Sequence, residues 1–147
     1  MNHSQVIDII EISTKIEIID SLNGKNEIIL ALEDKKAITE LEKIFDNLKS
    51  INGYWMSRGE YSLFFFQGQS QILEIEYFFP CHLRCKHWNS DMLILDKKGI
   101  IDWFASLGID LIERSKMKVD IEFLLKDGVI NEAQYQNYLK KQNEKPS

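Results

Sequence analysis

The sequence predicts an α+β fold: an antiparallel sheet built from two β-hairpins, with helices packed on one face and a helical hairpin at the C-terminus. Three observations support this prediction. Two pairs of short apolar segments each flank a turn sequence, which indicates two hairpins. Apolar residues at intervals of three and four follow each pair, which indicates helices. Residues 109–147 carry helical spacing and a glycine suited to ending a helix, which indicates the C-terminal pair of helices.

The first hairpin is indicated by "KIEIIDS" and "NEIILAL" on either side of Asn23-Gly24, because both turn residues tolerate a positive φ. A strict two-residue turn would place Asp20 opposite Glu27, and like charges in directly opposed positions are unfavourable. We therefore expect a slightly longer loop. The preceding segment, "VIDIIEI", fits either an extension of the first strand or a short helix.

A helix is predicted over residues 34–51. Its apolar residues recur at helical intervals: Ile38, Leu41, Phe45 and Leu48. Asp34 stands before this pattern as an N-cap should, and Gly53 follows it in the position that commonly ends a helix.

The second hairpin consists of "YSLFFFQ" and "ILEIEYFF" around the turn sequence "GQSQ". Leu63 and Phe65 project to one face of the first strand, while Phe64 and Phe66 project to the other. A strand that is apolar on both faces is expected in the interior of its sheet. The segment "MLILD", residues 92–96, is predicted to form a further short strand.

A third helical pattern follows Asp96, which can cap it. One apolar stripe runs along this helix: Ile100, Trp103, Phe104 and Leu107. Gly108 ends the pattern. Because Trp103 belongs to the stripe, we expect it in the core and not in a ligand site. Residues 1–108 are accordingly predicted to form an α+β domain.

Residues 109–147 are predicted to form a helical hairpin packed on that domain. A helix from Asp110 to Gly128 is favoured by its length, its cap and its terminal glycine, although residues 117–123 also alternate like a strand. A second helix is expected to open at Asn131.

Composition and charge restrict the classes of function. The 147 residues are 44% hydrophobic and 28% charged, a globular profile, and the formal net charge is -5. An acidic protein repels phosphate backbones, so we expect no nucleic-acid partner, and a basic protein partner fits better. The N-terminus has no export signal and no segment resembles a membrane span, which predicts a cytoplasmic protein with reduced thiols.

The segment "PCHLRCKHW", residues 80–88, contains both cysteines and two of the three histidines. A period of two, continued from the second hairpin, places Cys81, Leu83 and Cys85 on an inner face. We therefore expect one long strand with buried thiols. Pro80 lacks an amide donor, so this strand should lie at an edge or bulge there.

The outer face of this predicted strand carries His82, Arg84 and Lys86, and Trp88 follows with the same parity. Two interpretations stay open. The face is either a solvated surface with cross-strand ion pairs or a recognition strip, since Trp and Arg dominate binding hot spots. Asp91, in "WNSD", is either an acidic partner for Arg84 or the cap of a turn.

Metal and redox chemistry are not expected in this segment. Cys81 and Cys85 of an extended strand would lie about 13 Å apart, whereas a disulfide requires Cα atoms within about 7 Å. His82 points away from both thiols, and the spacing C-H-x-x-C-x-H matches no common structural zinc motif. We expect no metal and no cofactor.

Residues 58–108 combine the aromatic hairpin, "LRCKHW" and "SDMLILDKKGIIDWFASLG". This combination resembles small bacterial α+β proteins of the toxin-immunity type. The resemblance implies a cytoplasmic protein that binds one cognate toxin domain and blocks it. Many such toxin domains are basic nucleases. The stretch "FLLKDGVINEAQYQNYLKK" resembles the SHOCT-like helical hairpins that end many bacterial proteins, which implies a packing or oligomerisation module.

The leading hypothesis is therefore a protein-binding inhibitor and not an enzyme. Its candidate partner-binding residues are His82, Arg84, Lys86, Trp88, Asp91, Glu33, Asp34 and Glu40. One alternative is a regulatory or structural interaction module that assembles through its helical tail. Another is a small hydrolase in which His82 or His87 works with Asp91 or Glu60 as an acid–base pair.

Overall fold

The computed structural model describes residues 2–21, 26–55 and 57–144. The chain divides into two compact units, residues 1–96 and residues 97–147. The described residues form six helices and one open, antiparallel sheet of seven strands. The predicted α+β class is thereby confirmed.

The first unit contains two helices and all seven strands. In chain order these are α1 (His3–Ile12), β1 (Lys15–Asp20), β2 (Glu27–Leu32), α2 (Lys35–Asp46), β3 (Leu48–Ser50), β4 (Tyr61–Gln67), β5 (Ser70–Phe78), β6 (His82–Arg84) and β7 (Met92–Ile94). Their order across the sheet is β2-β1-β4-β5-β6-β7-β3. The two hairpins thus lie side by side, and the short strands extend the sheet beyond β5.

The ambiguous N-terminal segment is helical. Asn2 and Gln5 form a capping box at the start of α1, each side chain accepting from the other residue's amide. Val6 and Ile10 are buried four residues apart, a spacing that places them on one face of a helix. Helical periodicity therefore decides between the two predicted alternatives.

The first hairpin is confirmed as the antiparallel pair β1 and β2. Its turn, Asn23-Gly24, lies outside the described residues. Asp20 is paired with Glu27, so the register is the one that we expected the like charges to prevent. An irregularity between Ile18 and Ile19 shifts the pairing farther along the strands.

The core of the sheet consists of cross-strand neighbours on one face. These are Ile16 and Ile18 of β1, Leu63 and Phe65 of β4, and Leu73 and Ile75 of β5. All six are buried, and the two helices of this unit pack together, with α1 also contacting β5. The interior position predicted for β4 is confirmed, since β1 and β5 flank it.

The predicted helix over residues 34–51 is shorter than expected. Its N-cap is confirmed, because the Asp34 side chain accepts from the Lys36 amide. The helix ends at Asp46, however, and Leu48–Ser50 pairs with β7. The residues that the apolar spacing assigned to a last helical turn therefore form a strand. Gly53 does not end the helix.

The prediction of one long strand through "PCHLRC" is wrong. β5 ends at Phe78, the chain turns at Pro80, and β6 returns antiparallel to β5. The Tyr77 hydroxyl donates to the Pro80 carbonyl over 2.6 Å across this turn. Proline supplies no amide donor for a continued ladder, which favours a turn at this point. The buried state of Cys81 and Cys85 is confirmed.

The second unit is helical throughout its described elements. They are α3 (Lys97–Ser106), α4 (Leu111–Arg114), α5 (Lys118–Lys126) and α6 (Glu132–Glu144). Trp103 is buried as predicted. The predicted helix from Asp110 to Gly128 is in fact α4 and α5, separated at Ser115, whose carbonyl accepts from the Tyr138 hydroxyl of α6. Asn131 opens α6 as expected, with Gln134 completing a capping box.

The close approach of Gly59 to β5 gives a test of this fold. A Cβ at Gly59 would lie 2.9 Å from the Tyr77 carbonyl oxygen, which belongs to the ladder and cannot move freely. Gly59→Ala should therefore lower the free energy of unfolding by about 1–3 kcal/mol in urea denaturation. Gly53→Ala is the matched control, because nothing lies within 4 Å of its added Cβ. Equal losses in the two variants would contradict this packing.

Candidate functional site

A buried carboxylate, that of Asp91, is the centre of the polar groups in the first unit. The residue is 0% exposed. Its Oδ2 atom lies 2.8 Å from His82 Nε2 and 2.8 Å from Arg84 Nη2, and its Oδ1 atom lies 2.9 Å from Arg84 Nε. The Trp55 amide donates to Oδ2 over 2.7 Å. Because a carboxylate only accepts, His82 Nε2 carries the hydrogen of its contact.

The sheet register brings these groups together. His82 and Arg84 are two residues apart on β6, so their side chains project from the same face of the sheet. Asp91 directly precedes β7, which pairs with β6 through His82 and Leu93. Residues that are nine and seven positions from Asp91 in sequence therefore become its neighbours.

The charge of Asp91 is retained despite its burial. Burial acts to raise the pKa of Asp91, but the hydrogen bonds from Arg84, from His82 and from the Trp55 amide together outweigh it, and the pKa falls to about 2. The hydrogen bond to Asp91 likewise raises the pKa of Arg84. The site thus holds a permanent ion pair in bidentate geometry.

Arg84 also fixes the connection between β3 and β4, of which the structure describes residues 51–55 and 57–60. Its guanidinium donates to the Trp55 carbonyl and, over 3.3 Å, to the Ser57 carbonyl. Asp91 contributes its main chain, since its amide donates to the Gly53 carbonyl over 2.8 Å. The two main-chain polar groups of Trp55 are therefore both held by the Asp91–Arg84 pair.

The far end of the same segment is fixed to β5. The Gly59 amide donates to Glu76 Oε2 over 2.5 Å, and Glu60 Oε2 accepts from the Phe79 amide over 2.8 Å. The described residues of this connection form no regular secondary structure, and they are thereby tied to the sheet at both ends. Loops held in this way commonly carry binding residues.

Two aromatic side chains project from this fixed segment into solvent. Tyr54 is 59% exposed and Trp55 is 58% exposed. The Trp55 ring contacts the His82 ring at a centroid distance of 5.4 Å, and the His82 and Phe78 rings form a T-shaped pair at a centroid distance of 5.0 Å. The indole therefore packs against His82 on one side, while most of its surface faces water.

A cavity of about 420 Å³ lies beside Arg84. Its lining includes Tyr54, Glu74, Glu76, Arg84, Lys86 and Trp88. Both signs of charge occur around it, together with aromatic surface. The indole Nε1 atom of Trp88 is buried and has no hydrogen-bond partner among the described residues.

The predicted outer face of "PCHLRCKHW" is only partly exposed. His82 and Trp88 are buried, which corrects the expectation that both lie on a solvated strip. β6 is an interior strand whose His82 is covered by Trp55, and the chain turns after it, with the Trp88 amide donating to the Cys85 carbonyl over 3.0 Å. Lys86 is exposed as expected.

The ion pair between Arg84 and Asp91, one of two predicted roles for Asp91, is confirmed. The acidic candidates Glu33, Asp34 and Glu40 lie in and just before α2 and are exposed. No hydrogen bond or ion pair within the described ranges joins them to the Asp91 group.

The geometry bears on two forms of catalysis, acid–base chemistry by His82 with Asp91 and nucleophilic chemistry by a cysteine. His82 and Asp91 are within hydrogen-bond distance, yet the carboxylate is fully buried and also bound by Arg84 and Trp55. Burial raises the pKa of the Cys85 thiol, which disfavours the nucleophilic thiolate. In the parts of the chain that the structure describes, no cluster of three His, Cys, Asp or Glu side chains is suited to holding a metal.

The residues that sequence reasoning missed are Tyr54 and Trp55. They stand in a segment with neither helical nor strand periodicity, so no pattern indicated their exposure. The signal that could have found them is composition: two adjacent aromatic residues in a loop have no core position to fill.

Comparison of this chain with known proteins identifies no relative. Neither protein-family models, nor curated proteins, nor solved structures give a match to this chain. None of the helices in the described ranges combines the length and apolar character needed to cross a bilayer.

Removal of the buried charge should destabilise the first unit. Asp91→Asn leaves Arg84 without its counter-charge, and since the Arg84 side chain is 27% exposed, we expect a loss of about 2–3 kcal/mol in urea denaturation at pH 7. Asp102→Asn is the control, because its ion pair with Lys98 lies in solvent and should contribute less than about 0.5 kcal/mol. Similar losses in both variants would refute the role given to Asp91.

The pH dependence of stability follows from the same carboxylate. Because the pKa of Asp91 in the fold, about 2, lies below its ordinary value of 3.8, its stabilisation is present above pH 3.8 and is lost as pH falls through 2. Two denaturation series from pH 5 to pH 2, on the wild type and on Asp91→Asn, isolate this contribution. The difference between them should shrink by about 2 kcal/mol across that range. A constant difference would show that the pKa is not depressed.

Proposed function

We propose that this chain binds another protein through a surface centred on Tyr54 and Trp55, and that it acts as a stoichiometric inhibitor of the toxin-immunity type. The observation that carries the proposal is the exposed Trp55 indole on a main chain held by Asp91 and Arg84. This surface, Tyr54 and Trp55 together with exposed Lys86, is called the aromatic surface below.

Rigid, exposed aromatic residues are suited to binding because they lose little conformational entropy on association. Trp and Tyr are enriched among the residues that dominate interface energetics. A loop that is fixed before binding avoids most of the ordering cost that a mobile loop would incur. Both hydrogen bonds at Trp55 and the ring contact with His82 provide this fixation.

Charge favours a basic partner. The net charge is -5, and Glu33, Asp34 and Glu40 are exposed acids at α2. An acidic surface accelerates association with a basic protein and does so less at high salt. Basic nuclease domains of contact-delivered or secreted toxins have this charge, and the resemblance of residues 58–108 to immunity proteins favours the same class of partner. The proposed setting is the bacterial cytoplasm.

A second candidate function is assembly through the helical tail. Met117, Val119 and Phe123 are large apolar residues that are about half exposed or more in the second unit. Exposed apolar groups of this kind occur at protein interaction sites. In that case the binding residues belong to α5 and its N-terminus, and the aromatic surface plays no part.

One comparison of variants separates the two candidates. Trp55→Ala should weaken binding to the toxin domain encoded beside this protein by roughly 100-fold, about 2.7 kcal/mol, in isothermal titration calorimetry. Phe123→Ala is the matched control, because its side chain is exposed to almost the same extent, 57% against 58%. Both variants should keep the wild-type urea midpoint.

The opposite result, a loss with Phe123→Ala and none with Trp55→Ala, would favour the tail. Neutralisation of the toxin by both variants at wild-type affinity would contradict the proposal outright. If the neighbouring gene encodes no protein with a toxin-like C-terminal domain, the proposal that the partner is a toxin would be contradicted.

A further inference from the structure

The sequence Asn52-Gly53 lies at the start of the connection between β3 and β4, just before the aromatic surface. The chain contains a second Asn-Gly sequence, Asn23-Gly24, which lies outside the described residues. In Asn-Gly sequences the next main-chain nitrogen can attack the asparagine side-chain amide, because glycine has no Cβ to hinder its approach. Whether the folded protein permits this attack depends on the contacts of the two residues.

The attacking group and the leaving group at this site are both free. Within the part of the chain that the structure describes, neither the Gly53 amide nor the Asn52 Nδ2 group has a hydrogen-bond partner. Asn52 is exposed, and its Oδ1 atom lies 3.4 Å from the Ser50 hydroxyl. Nothing lies within 4 Å of the position that a Cβ of Gly53 would occupy. The Gly53 nitrogen can therefore approach Asn52 Cγ without breaking a hydrogen bond of either reacting group.

The main chain on both sides of Asn52 is bonded to one and the same residue. The Ile51 amide donates to the Asp91 carbonyl over 3.2 Å, and the Asp91 amide donates to the Gly53 carbonyl over 2.8 Å. Both bonds can exist only while the main chain between Ile51 and Gly53 keeps its length. The carboxylate of Asp91 also holds the Trp55 amide. A longer main chain at Asn52 would therefore disturb the attachment of the loop that carries the aromatic surface.

We propose that Asn52-Gly53 is a self-modification site of the folded protein, at which deamidation inserts an isoaspartyl linkage and loosens the aromatic surface. The Gly53 nitrogen gives its proton to hydroxide and forms a bond to Asn52 Cγ. The Cγ–Nδ2 bond then breaks, and the side-chain nitrogen takes up a proton from water and leaves as ammonia. The product is a five-membered succinimide ring, and no atom is oxidised or reduced.

Water from the solvent opens this ring in one of two ways. Attack at Cγ breaks the bond from Cγ to the Gly53 nitrogen and leaves an aspartate at position 52 with the original main chain. Attack at the main-chain carbonyl carbon breaks the original peptide bond, so that the chain runs through Cβ and Cγ of residue 52. This isoaspartyl linkage lengthens the main chain by an atom and leaves the α-carboxylate as a side group.

The two products differ in their effect on the loop. The aspartyl product keeps the spacing of Ile51 and Gly53, so both bonds to Asp91 are kept. The isoaspartyl product displaces one of these two residues from Asp91 and frees the main chain before Tyr54. A loop that must be ordered during association binds more weakly than one that is already fixed. The conversion itself does not depend on the proposed function, whereas its effect on a partner does.

Three variants separate the steps. Gly53→Ala keeps the Asn52 amide and hinders the attack with a Cβ for which the fold has space. Asn52→Gly removes the reacting amide and tolerates the positive φ of 57° at this position. Asn52→Asp carries the charge of the product without the longer main chain, and aspartate is among the residues that adopt such a φ.

The first measurement follows the conversion in the full chain during storage at mildly alkaline pH, both folded and in urea. The tryptic peptides of residues 50–58 and 16–25 contain the two Asn-Gly sequences separately, so mass spectrometry assigns each site. Methyl transfer by an isoaspartyl methyltransferase distinguishes isoaspartate from aspartate. Folded wild type should convert at Asn52 within roughly tenfold of the rate in urea, and Gly53→Ala at least roughly tenfold more slowly than wild type. Asn52→Gly should give no such product in residues 50–58.

The second measurement tests the effect on the loop. The isoaspartyl form, separated by ion exchange, should show hydrogen exchange of the Asp91 amide that is roughly tenfold faster than in the unmodified protein. Asn52→Asp is the matched control, and its Asp91 amide should exchange within about twofold of the wild-type rate.

The outcomes separate this inference from the proposed function. Conversion of Asn52 in urea but not in the folded protein would overturn the inference, as would an isoaspartyl form with wild-type exchange at Asp91. Toxin binding that is weakened by Trp55→Ala but unchanged in the isoaspartyl form would overturn it while the proposed function stands. Conversion with faster Asp91 exchange, in a protein that binds no neighbouring toxin, would support the inference and contradict the proposed function.

Discussion

Asp91 carries a negative charge where no part of its side chain meets water, and two other segments of the chain compensate it. β6 supplies Arg84 and His82, and the segment before β4 supplies the Trp55 amide. Removing a carboxylate from water is expensive unless every oxygen is paired, so these contacts depend on one another. The geometry of the aromatic surface follows from this one requirement. The same Arg84 guanidinium that pairs with Asp91 also donates to the Trp55 and Ser57 carbonyls, and so it fixes their positions.

The short strands explain why such an arrangement forms at this end of the sheet. β6 and β7 have three residues each, so side chains near their ends come close to loops on both sides. The turn after Phe78 brings His82 and Arg84 back across β5, and β7 brings Asp91 beside them. For the same reason β6 ends early, at Arg84, and does not reach Glu74 of β5.

Much of the fold could be predicted from local pattern. The turn of the second hairpin, the Asp34 cap and the apolar stripe around Trp103 depend on neighbours in sequence, and each is found as expected. Local pattern failed where a partner distant in sequence decides the conformation. Leu48 continues a helical stripe, yet it pairs with Ile94 of β7. His82 alternates like a surface residue, yet its neighbours in space are Asp91 and Trp55. The sequence allowed the Arg84–Asp91 ion pair to be predicted as one of two roles for Asp91. It did not allow the position of the Trp55 loop, which this pair holds, to be predicted.

The Asp91–Arg84 pair holds the main chain of Trp55 in place while the indole faces solvent. Nitrogen relaxation of the Trp55 amide in the free protein tests this most directly. We expect an order parameter of about 0.85, equal to that of the strands, although the residue lies in an irregular segment. A value below about 0.6 would show a mobile loop and would contradict the account.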